Sequence, residues 1–311
     1  RWADVIVGDV NHWFDSHALL HGLAQANDWR TGVLVDEAHN LVERARGMYS
    51  AELDQQRFNR IRRTSPKALA GPLGRLARQW QNVVKDAELE NEGGQGKPAY
   101  RLLTALPEKL VAAAQQVGSA ITDYLGEHPE QTSLELQELL FEALAFCRLA
   151  ERFGEHSLCD ITRHGRGRAV LGLRNLIPAD FLSARFNAAH SVVLFSATLN
   201  PAHYYRDLLG LPENTPWREV VSPFSACQLE VRIRSDISTR FRDREASIEP
   251  MVAAMAQQYQ RKPGHYLAFF SSFAYLEAVL NHFREAHLGV PVFSQTRGMP
   301  EAAREAFLAR F

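Results

Sequence analysis

The run Gly32-Val33-Leu34-Val35 is wholly apolar and stops at two acids, Asp36 and Glu37. A short apolar run bounded by polar residues reads as a buried strand rather than a helix. Asp4-Val5-Ile6-Val7-Gly8 reads as another, and the stretch from His17 to Gln25 between them is short and mostly apolar. Buried strands separated by helix are what a parallel α/β sheet requires, and the chemistry of such a sheet sits at the carboxyl ends of its strands. Asp36 is placed at such an end. The later run Ser191-Val192-Val193-Leu194-Phe195 ends in Ser196-Ala197-Thr198 and repeats the arrangement with hydroxyls in place of acids.

Between these two runs the texture changes. From about Ser50 to Gly154 the chain is rich in Leu, Ala, Gln, Glu and Arg at helical spacing, with no convincing strand. Leu134, Leu136, Leu139, Leu140, Ala143, Leu144 and Cys147 form an apolar stripe, with Glu135, Glu138 and Glu142 mostly on the other face. The segment from Glu90 to Lys97 is polar and glycine-rich, an expected loop between helices. Strand patterning resumes at Ala169 to Leu173, read as a return to the sheet. Beyond Pro223 a second α/β unit is expected, with strands at Leu229 to Ile233, Tyr266 to Phe270 and Val290 to Phe293. Its helices are expected at Ile248 to Gln260, at Phe273 to Glu285 and after Pro300. That unit's sheet needs strands that these residues do not supply.

With 311 residues and 46% apolar content, the chain can bury two or three cores. A net charge of −1 gives no overall basic field. Only five of the 35 basic residues are lysine, and arginine's planar fork suits phosphate contacts, although a genome-wide bias gives the same excess. Cys147, Cys159 and Cys227 are far apart and uneven in number, which argues against a disulfide framework or self-contained zinc site and for buried free thiols. No apolar run approaches a membrane span, and no signal pattern opens the chain, so a cytoplasmic protein that avoids membranes is expected.

An apolar strand ending in two acids suits nucleotide triphosphate hydrolysis. The first carboxylate, Asp36, can hold Mg²⁺ through water, and the second, Glu37, can orient or deprotonate the attacking water. The alternative is a pair of acids that merely cap a following helix. No G-x-x-x-x-G-K-[ST] phosphate loop occurs in the sequence; Gly96-Lys97 is followed by Pro98, not Ser or Thr.

Together, these strings resemble the DinG-like and XPD-like helicases of superfamily 2. Asp36-Glu37-Ala38-His39 matches their DEAH box. Ala3 to His12 looks like the strand segment after their iron-sulfur region. Ser196-Ala197-Thr198-Leu199-Asn200-Pro201 is similar to their third motif, and Ser222-Pro223-Phe224 to the lead into the second motor domain. Gly264 to Phe273 is similar to the fourth motif, and Ser294 to Met299 resembles the segment after it. The resemblance implies an α/β, RecA-like (P-loop NTPase-like) parallel sheet in residues 1–50 and 155–215, a helical arch-like insertion in 51–154, and the start of a second RecA-like domain in 216–311.

The resemblance further implies an ATP-dependent DNA helicase, using ATP and Mg²⁺ between two motor domains to move on single-stranded and forked DNA, 5′ to 3′, in replication or repair. His39 becomes a coupling residue, and Ser196, Ala197 and Thr198 a coupling motif; ordinary hydroxyl capping is the alternative for the latter. Ser271, Ser272, Tyr275 and Arg297 become candidate nucleic-acid contacts, although an N-cap accounts equally for the serines and a surface salt bridge for Arg297. The family's [4Fe–4S] cluster is expected just before Arg1 in a longer parent, since none of the three cysteines matches its ligands. The chain is therefore read as a fragment cut at both ends, with no ATP turnover of its own. A docking module of helicase fold and an RNA-directed motor remain alternatives.

Three arginine clusters are candidate phosphate contacts: Arg57, Arg60, Arg62 and Arg63; Arg163, Arg166 and Arg168; and Arg232, Arg234, Arg240, Arg242 and Arg244. Trp13, Phe14 and Trp80 are candidate base-stacking groups, though such residues are more often core.

Overall fold

The structure, a computed structural model, describes residues 3–87, 98–131 and 133–310. It divides into two compact units, residues 1–219 and 220–311. The expected loop from Glu90 to Lys97 lies outside the described residues.

In the first unit, helices α1 (Asn11–Phe14) and α2 (Leu19–Ala26) precede strand β1 (Gly32–Val35), a 3₁₀ turn (Ala38–Asn40) and α3 (Leu41–Met48). Much later come α8 (Ala179–Asn187), β6 (Ser191–Leu194) and α9 (Ala202–Leu209). Strands β1 and β6 pair in parallel, Gly32 opposite Ser191 through Val35 opposite Leu194, as the two apolar runs lead one to expect. Only one face of this pair is covered. Val35 packs with Leu41, Val42, Ala45, Phe181, Leu182 and Leu209, whereas Leu34 and Val193 are exposed.

The expected strand from Asp4 to Gly8 does not form. Val5, Ile6 and Val7 are exposed, and Val7 is 95% accessible. A strand is held by ladder bonds to a neighbour, and β6 alone pairs with β1 among the described residues. An apolar pattern compatible with a strand does not make one without a partner.

Residues between α3 and α8 are not purely helical. They comprise β2 (Ala51–Asp54), α4 (Gln55–Thr64), α5 (Ala70–Asp86), β3 (Ala99–Leu103), α6 (Glu108–Glu127), α7 (Leu134–Ala150), β4 (Ser157–Gly165) and β5 (Arg168–Asn175). The four strands form an antiparallel sheet in the order β2-β5-β4-β3. Two expectations are thereby corrected. Strands lie inside the stretch read as helical, and Ala169 to Leu173, though a strand, belongs to this antiparallel sheet rather than to the parallel pair. The reason is cross-strand pairing: β2 and β3 are only four and five residues long, and their strand geometry comes from β5 and β4.

The helices stack on that sheet through amphipathic faces. Asp54 caps α4 by accepting from the Gln56 N–H at 2.7 Å, and Ser133 caps α7 by accepting from the Leu136 N–H at 3.2 Å. Trp80 of α5, Leu110 and Ile121 of α6 and Phe146 of α7 meet Ile161 and Leu171 of the sheet in one core. The stripe on α7 is buried as expected at Leu136, Leu139, Leu140, Ala143 and Cys147, and differs only at its margins. Phe146 and Ala150 are buried, while Leu134 and Leu144 are exposed.

A buried histidine ties α1, α2 and α8 together. The His21 Nδ1 meets the Arg185 guanidinium, whose second nitrogen donates to the Asp15 carbonyl at 2.8 Å. Burial, then the Arg185 charge, holds its pKa below the ordinary value of 6.5. The folded state thus keeps His21 neutral where the unfolded chain would protonate it. As pH falls through 6.5 the unfolded state takes up the extra proton, so stability is expected to decline below about pH 6.5. His21→Phe should flatten that decline in urea midpoints measured across the acid range; an unchanged slope would assign the acid sensitivity elsewhere.

In the second unit, α10 (Arg244–Arg261) and α11 (Phe273–Ala286) pack through Val252, Ala256, Tyr275, Val279 and Phe283, followed by α12 (Glu301–Leu308). The three helices lie where expected. The three expected strands do not form: residues 229–233, 266–270 and 290–293 carry no ladder, and Ile233 and Phe269 are almost fully exposed. No strand among the described residues of this unit is available to pair with them.

Candidate functional site

The site is built where β1 and β6 end side by side. The Phe195 N–H donates to the Val35 carbonyl at 3.0 Å, and the Ala38 N–H donates to the Phe195 carbonyl at 3.1 Å. These bonds extend the pairing beyond the last strand residues and fix Asp36-Glu37-Ala38-His39 against Ser196-Ala197-Thr198. Ala38 is fully buried, so a larger side chain there would push the two segments apart. Glu37 turns the chain at the strand end with φ 48° and ψ 41°, left-handed values that cost a non-glycine residue about 1–2 kcal/mol. That strain sits at the residue expected to act on water.

The Ser196 hydroxyl is the hub. Its Oγ lies 2.7 Å from His39 Nδ1, 3.3 Å from Glu37 Oε2 and 3.2 Å from the Thr198 N–H that it accepts. His39 Nδ1 is also 3.2 Å from Glu37 Oε2. A hydroxyl has one proton to give and two lone pairs. One assignment satisfies every contact: Ser196 donates to Glu37, accepts from Thr198, and accepts from a His39 protonated on Nδ1. The structure therefore brings together Glu37, His39, Ser196 and Thr198 from segments more than 150 residues apart. Ala197 is exposed beside them, and Tyr205 of α9 holds the Thr198 carbonyl at 3.5 Å.

Asp36 is exposed at the strand end, with Oδ1 accepting the Glu37 N–H at 2.8 Å. Among the described residues, no group of three or more His, Cys, Asp or Glu could hold a metal ion unaided. Mg²⁺ does not need one. It binds through one or two carboxylates, keeps several waters and takes further oxygens from substrate phosphates. A lone accessible carboxylate fits that pattern. With three cysteines in the chain, no four-cysteine set exists for an iron-sulfur cluster. Burial pushes the Cys147 thiol up to about 11 and the Cys159 thiol up to about 12, as expected of inert core thiols. Cys227 is exposed, which corrects its expected place among the buried thiols.

The second-unit candidates fall into two groups. Ser272 caps α11, accepting the Tyr275 N–H at 3.3 Å. Arg244 donates to Ser271 at 2.9 Å and to Ser272 at 3.3 Å, with its guanidinium 5.2 Å from the Tyr275 ring and 5.3 Å from the Phe241 ring. Tyr275 itself is buried, and its hydroxyl is 2.5 Å from Ser247 Oγ. Its expected direct contact with nucleic acid is corrected: the aromatic body fills the core between α10 and α11. Arg297 is exposed, 6.0 Å from the Phe273 ring. Arg244 carries no individual signal in the sequence. It is visible there only as one of five clustered arginines, and its link to the serines 27 and 28 positions away needs the fold.

Of the two readings of the candidate stacking groups, the structure bears out core packing. Trp13, Phe14 and Trp80 are all buried, and Trp13 Nε1 donates to the Arg185 carbonyl at 3.2 Å. Among the described residues no helix is long and apolar enough to cross a membrane.

No family model matches the chain, and no curated protein matches it. Among solved structures, the chain is similar to an XPD helicase at 12% identity and a TM-score of 0.46, covering 96% of this chain and 50% of the other. It is similar also to an apo form of XPD at 13% identity and a TM-score of 0.47, covering 96% of this chain and 57% of the other. The chain thus spans about half the length of these solved structures.

Proposed function

We propose that this chain is the central part of a superfamily 2 DNA helicase, in which ATP hydrolysis drives movement along single-stranded DNA. The observation that supports this reading most is the Glu37-His39-Ser196 cluster at the adjoining ends of β1 and β6. In this reading Asp36 holds Mg²⁺ through water, which neutralises charge on the nucleotide phosphates. Glu37 orients the attacking water from a carboxylate whose position Ser196 fixes. His39 holds the proton on Nδ1 toward Ser196, so that movement of the Ser196-Thr198 segment alters the hold on Glu37. Ser271, Ser272 and Arg297 contact the DNA backbone. The [4Fe–4S] cluster, the phosphate loop, the 5′ to 3′ direction and a role in replication or repair belong to the whole protein and are part of the same proposal, as is a division into two motor domains and an insertion, with the insertion extending from residue 51 through β5 rather than ending at residue 154 because β2 to β5 form one sheet.

The test is ATP hydrolysis by the longer protein with and without single-stranded DNA, comparing wild type with Asp36→Ala. Hydrolysis stimulated by DNA and lost in the variant is expected. Absence of any hydrolysis would favour a docking module of the same fold, and equal or stronger stimulation by single-stranded RNA would favour an RNA motor.

A further inference from the structure

The structure separates the clustered arginines into those whose side chains already have a protein partner and those that form no ion pair among the described residues. Arg57 of α4 is held by Glu138 and Glu142 of α7, and Arg60 lies 3.7 Å from Glu135. Arg232 pairs with Glu230, Arg234 with Asp236 at 2.6 Å, Arg242 with Asp243 at 3.5 Å, and Arg244 bonds the two serines. By contrast Arg62, Arg63, Arg166 and Arg168 are all exposed, and none of them belongs to an ion pair with an acid among the described residues.

These four come from two places in the sequence about 100 residues apart, and the fold joins them. Helix α4 lies against β5. The Gln55 side chain at its start accepts the Ala169 N–H at 3.2 Å. One turn later Asn59 approaches Gly167, where a Cβ added to the glycine would stand 3.7 Å from Asn59 Nδ2. Arg62 and Arg63 follow Asn59 by three and four residues, so they occupy the next turn on the same side of the helix. The helix thus runs toward the tip of the β4–β5 hairpin, where Arg166-Gly167 forms the loop and Gly165 faces Arg168. Gly165 at φ 143° and Gly167 at φ 69° give the tip backbone angles that other residues rarely adopt, which present the two flanking arginines on a tight turn.

We propose that the last turn of α4 and the tip of the β4–β5 hairpin form one cationic surface that binds the phosphate backbone of single-stranded DNA through Arg62, Arg63, Arg166 and Arg168. Four guanidinium groups on a rigid turn and a helix end match a chain of phosphates better than a single anion, since each fork takes a phosphate by paired donors. The choice of DNA as the polyanion rests on the reading of the chain as a DNA motor. The surface lies apart from Asp36 and Glu37 in sequence and requires no nucleotide, so its test is independent of hydrolysis.

The test is fluorescence anisotropy of a labelled oligodeoxythymidine titrated with the full chain over a range of salt. Arg166→Ala with Arg168→Ala, and separately Arg62→Ala with Arg63→Ala, should each weaken binding at least about tenfold at low salt. Each pair should also make the salt slope shallower by about 1.4, the value for two phosphate contacts on a single strand. Replacing the same pairs by lysine should keep most of the slope, which separates loss of charge from loss of fold. Replacing Arg232 and Arg234 by alanine, a pair already met by acids, should change neither quantity. An unchanged slope in both hairpin and helix variants, or an equal loss in the Arg232 and Arg234 control, would overturn the proposal. Displacement of the oligonucleotide by polyglutamate at equal charge would overturn the nucleic-acid assignment in favour of an acidic protein segment.

Discussion

Glu37→Gln is expected to lower ATP turnover of the longer protein about 10²–10⁴-fold, with little change in its affinity for nucleotide or DNA. The substitution preserves shape and leaves the side-chain oxygen that accepts from Ser196 at 3.3 Å. It also leaves the left-handed backbone at position 37, so the loop is not expected to relax. What disappears is the negative charge that, in the proposed function, orients and deprotonates water. Steady-state hydrolysis at saturating DNA measures the loss, and thermal melting of the same preparations shows that the fold is kept. A variant that turns over at the wild-type rate would remove Glu37 from the reaction and leave the cluster as a structural cap.

Trp80→Ala is expected to destabilise the first unit by about 3–5 kcal/mol, the range for removing a large aromatic from a packed interior. Only 1% of Trp80 is accessible, and it sits among the helices that cover the antiparallel sheet. This unit contains two separate cores, one on the antiparallel sheet and one beside the parallel pair. A single transition is therefore not assumed, and hydrogen exchange resolved by segment is the better measurement. Protection should fall in α5, α6 and β4 and remain in α3 and α8. Uniform protection together with weakened DNA binding would instead restore Trp80 as a stacking platform.

Much of the architecture is legible where one segment carries its own signal. The runs at Gly32 and Ser191 announce the parallel pair, and Ser272 before Phe273 announces the start of α11. The failures share one physical cause. A strand is completed by its neighbour, so Val5 to Val7 and Leu267 to Phe269 keep a strand pattern without becoming strands. Conversely Ala51 to Asp54, half of it acidic, becomes one because β5 lies beside it. The site is legible in its residue types, Asp36, Glu37, His39 and Ser196, but its hub is not. That one serine hydroxyl touches His39, Glu37 and Thr198 depends on the register between two strands far apart in sequence, which the parallel ladder sets. The buried Tyr275 and the convergence of Arg62 with Arg166 are hidden for the same reason.

The pairing of β2 with β5 has a further consequence. Ala51, where the chain enters the antiparallel sheet, lies opposite Leu173, two residues before the sheet ends at Asn175, whose N–H donates to the Ser50 hydroxyl at 2.9 Å. Opposed residues in such a ladder are only about 5 Å apart, so the whole intervening stretch departs and returns through one narrow doorway. Material of almost any size can be lengthened, trimmed or exchanged behind it while the chain on the other side keeps its course from α3 to α8. A lineage could therefore remodel what this lobe touches without disturbing the register of β1 against β6, and differences between relatives should gather there.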